Sequence, residues 1–218
     1  MPVSKLHGQV AAIALRAAAP HGFALAGGNA LLAHGITERP TQDVDVFSNE
    51  QGGVEAAADA VQDALCGAGF GAERRDGTDG LADVFEGMGE GLAEWIVTGP
   101  GGEQMMLQLA YFDRTRQPVL MDIGPVLDLE DVVGGKVCAL ASRAEPRDYL
   151  DTGAALRRYS VEQVIRFARR LDPGLTRTDF ADAGQRLDRW GDRVFAAFGL
   201  SPEQIATLRD QFEAWPRR

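Results

Sequence analysis

At 218 residues and a formal net charge of −10, the chain is long enough to bury a sizeable core, as one domain or one domain with a smaller appendage. No apolar run reaches the roughly 20 residues of a membrane span, and the first stretch, "MPVSKLHGQVAAIALRAAAP", is broken by Gln9 and Arg16; a membrane-spanning helix is not expected and a cytoplasmic protein is. Residues 1–135 carry 7 basic against 20 acidic side chains and residues 136–218 carry 15 against 12, so an acidic region suited to cations precedes an Arg-rich region suited to phosphates. Solvated helix faces account for most of those arginines equally well.

The opening stretch predicts an amphipathic helix. "FALAGG" then reads as a short buried strand ending in a Gly-Gly turn, and "NALLAHG" as two turns of helix with Asn29 as its cap and Gly35 as its terminator. In "DVDVFS" the residues alternate, which places Asp43 and Asp45 on one strand face and Val44 and Val46 on the other. "VEAAADAVQDALCGAGF" repeats its apolar positions at helical spacing and is closed by Gly67 and Gly69. "LADVF", "AEWIVTG" and "EQMMLQLAYF" are expected strands, the last two joined as a hairpin through "GPGGE".

From Leu129 onward no strand is expected. "LEDVVGGKVCALASR" reads as a helix despite its two glycines, and "PRDYLDTGAALRRY" as another with Pro146 at its first position. "SVEQ" and "SPEQ" are capping boxes at Ser160 and Ser201. Cys66 and Cys138, far apart within helical patterns, are expected to be buried reduced thiols with no metal or disulfide role.

Two features carry chemistry. A strand that ends in Gly-Gly and opens a helix can receive a phosphate, because glycine lets the ligand approach backbone N–H groups closely. Two aspartates on one strand face repel each other and lose hydration together, so their placement calls for a cation; Mg²⁺ takes oxygen ligands and binds through one or two carboxylates plus substrate phosphates.

Joined at this spacing, "GGNALLAHG" and "ERPTQDVDVF" resemble the core of the DNA polymerase β type nucleotidyltransferase superfamily, most closely its AbiEii/AbiGii toxin-like family. "DLEDVVGGKVCALASRAEPRDYLD" is similar to that family's second block, a Lys-bearing helix followed by Arg-Asp and a further Asp, so the likeness spans about residues 20–155. It implies an α/β (α+β) fold, a nucleotidyltransferase-like mixed sheet flanked by helices over residues 1–128, with a helical region over 129–218 that completes the active site.

The resemblance assigns Gly27, Gly28 and Asn29 to the nucleotide-binding turn, with Arg39 and Thr41 just ahead of the acidic strand. It makes Asp43 and Asp45 metal ligands for Mg²⁺ or Mn²⁺, Lys136 the contact to the triphosphate, and Asp148 the carboxylate of the last motif. Each has a plainer alternative: Lys136 as an exposed helix lysine, Asp148 as an acid favoured in a first helical turn, Thr41 as a local cap, Arg39 as the partner of a nearby acid. His34 is expected to be structural.

At the position aligned with the superfamily's third carboxylate stands Gln108, whose oxygen can ligate a metal but brings no charge and cannot act as a base. Asp113 has the opposite strand parity and lies beyond the strand, so either the usual three-acid catalysis does not apply or the activating base comes from elsewhere, with Asp148 a candidate. Two functions are therefore expected. One is a Mg²⁺-dependent enzyme moving a nucleotidyl group from an NTP to a tRNA or protein hydroxyl, by resemblance a toxin opposed by a cognate antitoxin. The other is a catalytically impaired descendant that binds a nucleotide or a protein partner.

Overall fold

The computed structural model describes residues 5–75 and 91–218. They form two compact units, Met1–Asp128 and Leu129–Arg218. The expected strand "LADVF" lies outside the described residues.

In the first unit, helix α1 (Lys5–Ala17) leads to β1 (Ala24–Leu25), α2 (Gly27–Ala33), β2 (Asp43–Ser48), α3 (Gly53–Gly67), β3 (Gly71–Arg75), β4 (Leu92–Thr98), β5 (Gln104–Tyr111), β6 (Val119–Met121) and β7 (Gly124–Val126). The described strands make one mixed sheet in the order β3-β4-β5-β2-β1-β7-β6. β2 runs parallel to β5, β1 runs parallel to β7, and the other pairs are antiparallel. β4 and β5 are the expected hairpin around the "GPGGE" turn.

Alternation along the central strands separates two faces. Val44, Val46, Trp95, Val97, Leu107 and Leu109 are buried on one, beneath α1 and α3, and Trp95 donates its indole N–H to Gln62 of α3 at 2.9 Å. α3 answers with Val54, Ala57, Ala58, Val61 and Leu65 at helical spacing, all buried. Because side chains alternate along a strand, the residues between those apolar ones, Asp43, Asp45, Glu94 and Gln108, share the half-exposed opposite face.

The second unit holds α4 (Leu129–Ser142), α5 (Pro146–Leu156), α6 (Val161–Leu171), α7 (Arg177–Arg189), α8 (Asp192–Ala196) and α9 (Pro202–Gln211). Gly134 of α4 has a packing reason: a Cβ there would come within 2.9 Å of the Phe167 carbonyl oxygen, so glycine lets α4 approach the α6 backbone. The aromatic core joins Tyr149, Phe195, Phe212, Phe180 and Trp215 through contacts with ring centroids 5.2–6.3 Å apart. Tyr149 and Trp215 stay polar-satisfied there, donating to the carbonyls of Ala183 and Phe180 at 2.8 and 2.9 Å. Both expected capping boxes form, with Ser160 receiving the Gln163 N–H and Ser201 that of Gln204, each at 3.3 Å.

Two expectations are corrected. Asn29 does not cap α2: the helix begins at Gly27 with Ala26 before it, because the left-handed glycine turn itself starts the helix and draws Asn29 inside. Cys66 is exposed, since it lies on the outer side of the α3 stripe, whereas Cys138 is half-buried; both are free thiols. Burial pushes the Cys138 thiol up to about 12, so it is protonated near neutrality and unreactive. Iodoacetamide at pH 8 is expected to label Cys66 and spare Cys138 in the folded protein, with both labelled in urea; peptide mass mapping reads the difference, and labelling of Cys138 at parity in the native state would contradict it.

Candidate active site

The turn after β1 sets the local geometry. Gly27 sits at φ +57°, the left-handed region that side chains rarely adopt. A Cβ there would lie 1.7 Å from Asp45 Oδ2 and 2.6 Å from its Cγ, so the backbone of the turn presses on the Asp45 carboxylate and only glycine fits. Gly28 is fitted to a second partner, with a Cβ there falling 2.9 Å from Thr41 Oγ1.

Two side chains fasten this turn to the acidic strand. Asn29, wholly buried, donates its amide to the Asp43 carbonyl at 2.8 Å. Thr41 donates its hydroxyl to the same carbonyl at 3.3 Å. The first residue of β2 is thus held from α2 and from the preceding loop, and Gly27, Gly28, Asn29, Thr41, Asp43 and Asp45 form one cluster. Arg39 is half-buried in that loop, its backbone N–H on Thr37 Oγ1 at 3.2 Å. His34 donates through Nε2 to the Leu127 carbonyl at 2.8 Å, a tie between α2 and the end of the sheet.

Parallel pairing of β2 with β5 sets Gln108 beside Asp45. The next strand sets Glu94 beside Gln108, and Gln108 Nε2 donates to Glu94 Oε1 at 2.9 Å. Asp113 is exposed and follows the end of β5 at Tyr111. Among the described residues no group of three or more His, Cys, Asp or Glu side chains gathers as a metal cluster. The donor set of Asp43, Asp45 and Gln108 is all hard oxygen. It fits Mg²⁺ or Mn²⁺ drawing further ligands from phosphates and water, and is unsuited to a soft metal.

In the second unit Lys136 of α4 meets Asp151 of α5, Nζ to Oδ2 at 3.0 Å, with the Asp151 side chain 1 % exposed and that of Lys136 20 %. Asp148 is occupied otherwise. Its two oxygens take a fork from Arg143, Nε to Oδ2 at 3.0 Å and Nη2 to Oδ1 at 2.9 Å, and Oδ2 also receives the Glu145 N–H at 3.0 Å. That hydrogen bond holds the Arg143 guanidinium above its ordinary range. Asp148 therefore anchors the start of α5, and the carboxylate on Lys136 is the one three residues later.

A family model described as nucleotidyl transferase AbiEii toxin, type IV TA system, matches residues 11–215. The chain belongs to the AbiEii nucleotidyl transferase toxin family. Among solved structures, this AbiEii chain is similar to JHP933 of Helicobacter pylori, at 13 % identity and TM-score 0.60 over 97 % of this chain and 92 % of that one. It also resembles a second H. pylori structure titled a putative nucleotidyltransferase, at 13 % identity and TM-score 0.62 over 96 % and 92 %. A third is MenT4, a nucleotidyltransferase toxin of Mycobacterium tuberculosis H37Rv, at 14 % identity and TM-score 0.54 over 95 % and 82 %. No curated protein matches. At these identities the structural likeness establishes the nucleotidyltransferase fold.

In this AbiEii chain sequence reasoning gave no role to Asp151, the further Asp of the second block, and missed Glu94. For Asp151 the signal was its place in "RDYLD", one helical turn beyond Asp148 and within an apolar stretch where a lone acid needs a partner. For Glu94 it was hairpin arithmetic: centring the "GPGGE" loop on Gly101 pairs residue 94 with residue 108.

Proposed function

We propose that the chain is a nucleotidyltransferase toxin that moves a nucleotidyl group from an NTP to a hydroxyl of a tRNA or protein acceptor, the new bond to the α-phosphorus replacing its bond to pyrophosphate, which leaves, and that a cognate antitoxin opposes it. The observation that supports this reading is the close packing of the helix-opening glycine turn on Asp45, where a Cβ at Gly27 would lie 1.7 Å from Oδ2, so that the turn and the two carboxylates of one strand face stand together. Asp43, Asp45 and the Gln108 oxygen would hold Mg²⁺ or Mn²⁺. A cation so held neutralises phosphate charge and lowers the pKa of the attacking hydroxyl. Gly27, Gly28 and Asn29 bring backbone N–H groups close to the phosphates, with Arg39 and Thr41 bordering them. Lys136 supplies positive charge to the triphosphate, its ammonium oriented by Asp151, and Asp148 acts through the Arg143 fork that fixes the start of α5. Positioning and electrostatics do most of the work, in the cytoplasm, where NTPs are held. Among the described residues no helix is long and apolar enough to cross a membrane.

Gln108 favours a second reading, a descendant that binds nucleotide without turnover. The discriminating experiment is radiolabel transfer from each NTP, labelled at the α-phosphorus, into total tRNA or protein with Mg²⁺. The enzyme reading expects transfer, lost at least tenfold in Asp43→Asn and Asp45→Asn while their melting temperatures stay at or above wild type, because removing one of two repelling carboxylates relieves the metal-free state. Tight nucleotide binding without transfer supports the descendant, and unfolding of the Asn variants would make the pair structural.

A further inference from the structure

Four neighbouring strands line up Arg75 on β3, Glu94 on β4, Gln108 on β5 and Asp45 on β2 as register partners. In that row a neutral amide stands between two carboxylates. A carboxylate only accepts hydrogen bonds, so each of the two neighbours competes for the amide's NH₂ end. Glu94 has it, at 2.9 Å from Gln108 Nε2. Since the oxygen and nitrogen of a planar amide diverge from one carbon, the bond to Glu94 keeps the NH₂ end on the Glu94 side and leaves the oxygen as the end the amide can offer to a cation beside Asp45. With the amide reversed, a donor would stand beside Asp45, tying up carboxylate oxygens and opposing a cation there.

Resting on the nucleotidyltransferase reading, we infer that Glu94 is a positioning residue for the divalent cation: it fixes the Gln108 amide so that a neutral carbonyl oxygen, and not an NH₂ group, is presented beside Asp45. Glu94 is no ligand itself. The ion is held by two carboxylates and one amide oxygen of this chain, and Glu94 does for glutamine what an outer-shell carboxylate does for a metal-bound histidine.

The test is titration of the full chain with Mn²⁺ alone, read as loss of the free-ion signal in electron paramagnetic resonance. Glu94→Gln keeps an acceptor oxygen at the same reach without charge and is expected to stay within about twofold of wild type. Glu94→Asp keeps the charge but withdraws it by one methylene, and is expected to weaken Mn²⁺ about tenfold, the lower end of outer-shell effects. In a Gln108→Leu background, itself weakened, Glu94→Asp is expected to change nothing further. Circular dichroism checks that each variant is folded, and the Gln and Asp variants are mild enough to keep the strand. A loss in Glu94→Gln with none in Glu94→Asp would mean that the charge acts directly and would overturn the inference, as would an undiminished effect in the Leu background or wild-type affinity in all Glu94 variants. Failure of the wild-type chain to bind Mn²⁺ would instead remove the metal reading, and the inference with it.

Discussion

Gly27→Ala is expected to lower nucleotidyl transfer at least about 100-fold, about 2.7 kcal/mol of transition-state stabilisation, and to cost about 2 kcal/mol of folding stability. Two independent penalties add. At φ +57° a residue with a Cβ pays about 1–2 kcal/mol of backbone strain. The new methyl would also sit 1.7 Å from Asp45 Oδ2, so the carboxylate must rotate away, and the position it leaves is the one the proposed chemistry requires. Urea unfolding and radiolabel transfer measure the two effects. A double-mutant cycle separates them: in an Asp45→Ala background the oxygen and Cγ clashes are gone, so Gly27→Ala should cost only the backbone part, about 1 kcal/mol. Wild-type transfer by Gly27→Ala would show that the Asp45 position is not used, and equal stability losses in both backgrounds would show that the turn and the carboxylate are not coupled.

The same pair of residues shows what the sequence made legible. "DVDVFS" betrayed its strand by period-2 alternation, and the carboxylates' common face followed from the pleat alone. The hairpin of β4 and β5 announced itself through alternating apolar residues around a glycine-rich loop. By contrast β3, "GAERR", has no apolar alternation; its strand state comes from pairing with β4 and not from its own side chains. β6 and β7 are three residues each, and the Gly-Pro in β7 reads as a turn; only the ladder to β1 makes them part of the sheet. Asn29 was misread for a related reason. At the sequence level an Asn after Gly-Gly is a cap, but the positive φ of Gly27 starts the helix earlier and turns the Asn29 amide to the Asp43 carbonyl. Local rules located β2, β4 and β5 and their faces, while the contacts that bind one element to another, Gln108 with Glu94 and Lys136 with Asp151, depended on tertiary register.

Lys136→Met is expected to destabilise the protein by about 3 kcal/mol, because it strips a carboxylate that is 1 % exposed of its ion-pair partner, and breaking a buried pair costs more than the pair contributes. For a chain of this length that is roughly 6–12 °C in melting temperature. Transfer should fall at the same time, which alone would not distinguish a lost phosphate contact from a loosened helix pair. The double variant Lys136→Met/Asp151→Leu does. With both charges gone, the apolar pair fills the space between α4 and α5 with no buried carboxylate deprived of its ammonium, and most of the lost stability should return. Transfer should not return, since the ammonium assigned to the triphosphate is still missing, and the apparent affinity for NTP should stay weak. Two of the three tryptophans, Trp190 and Trp215, lie in this helical unit, so fluorescence-detected unfolding in a Trp95→Phe background follows its stability while the radiolabel assay follows activity. Recovery of both in the double variant would make the Lys136–Asp151 pair a packing device only, whereas stability recovered with activity absent is the result that the phosphate role of Lys136 requires.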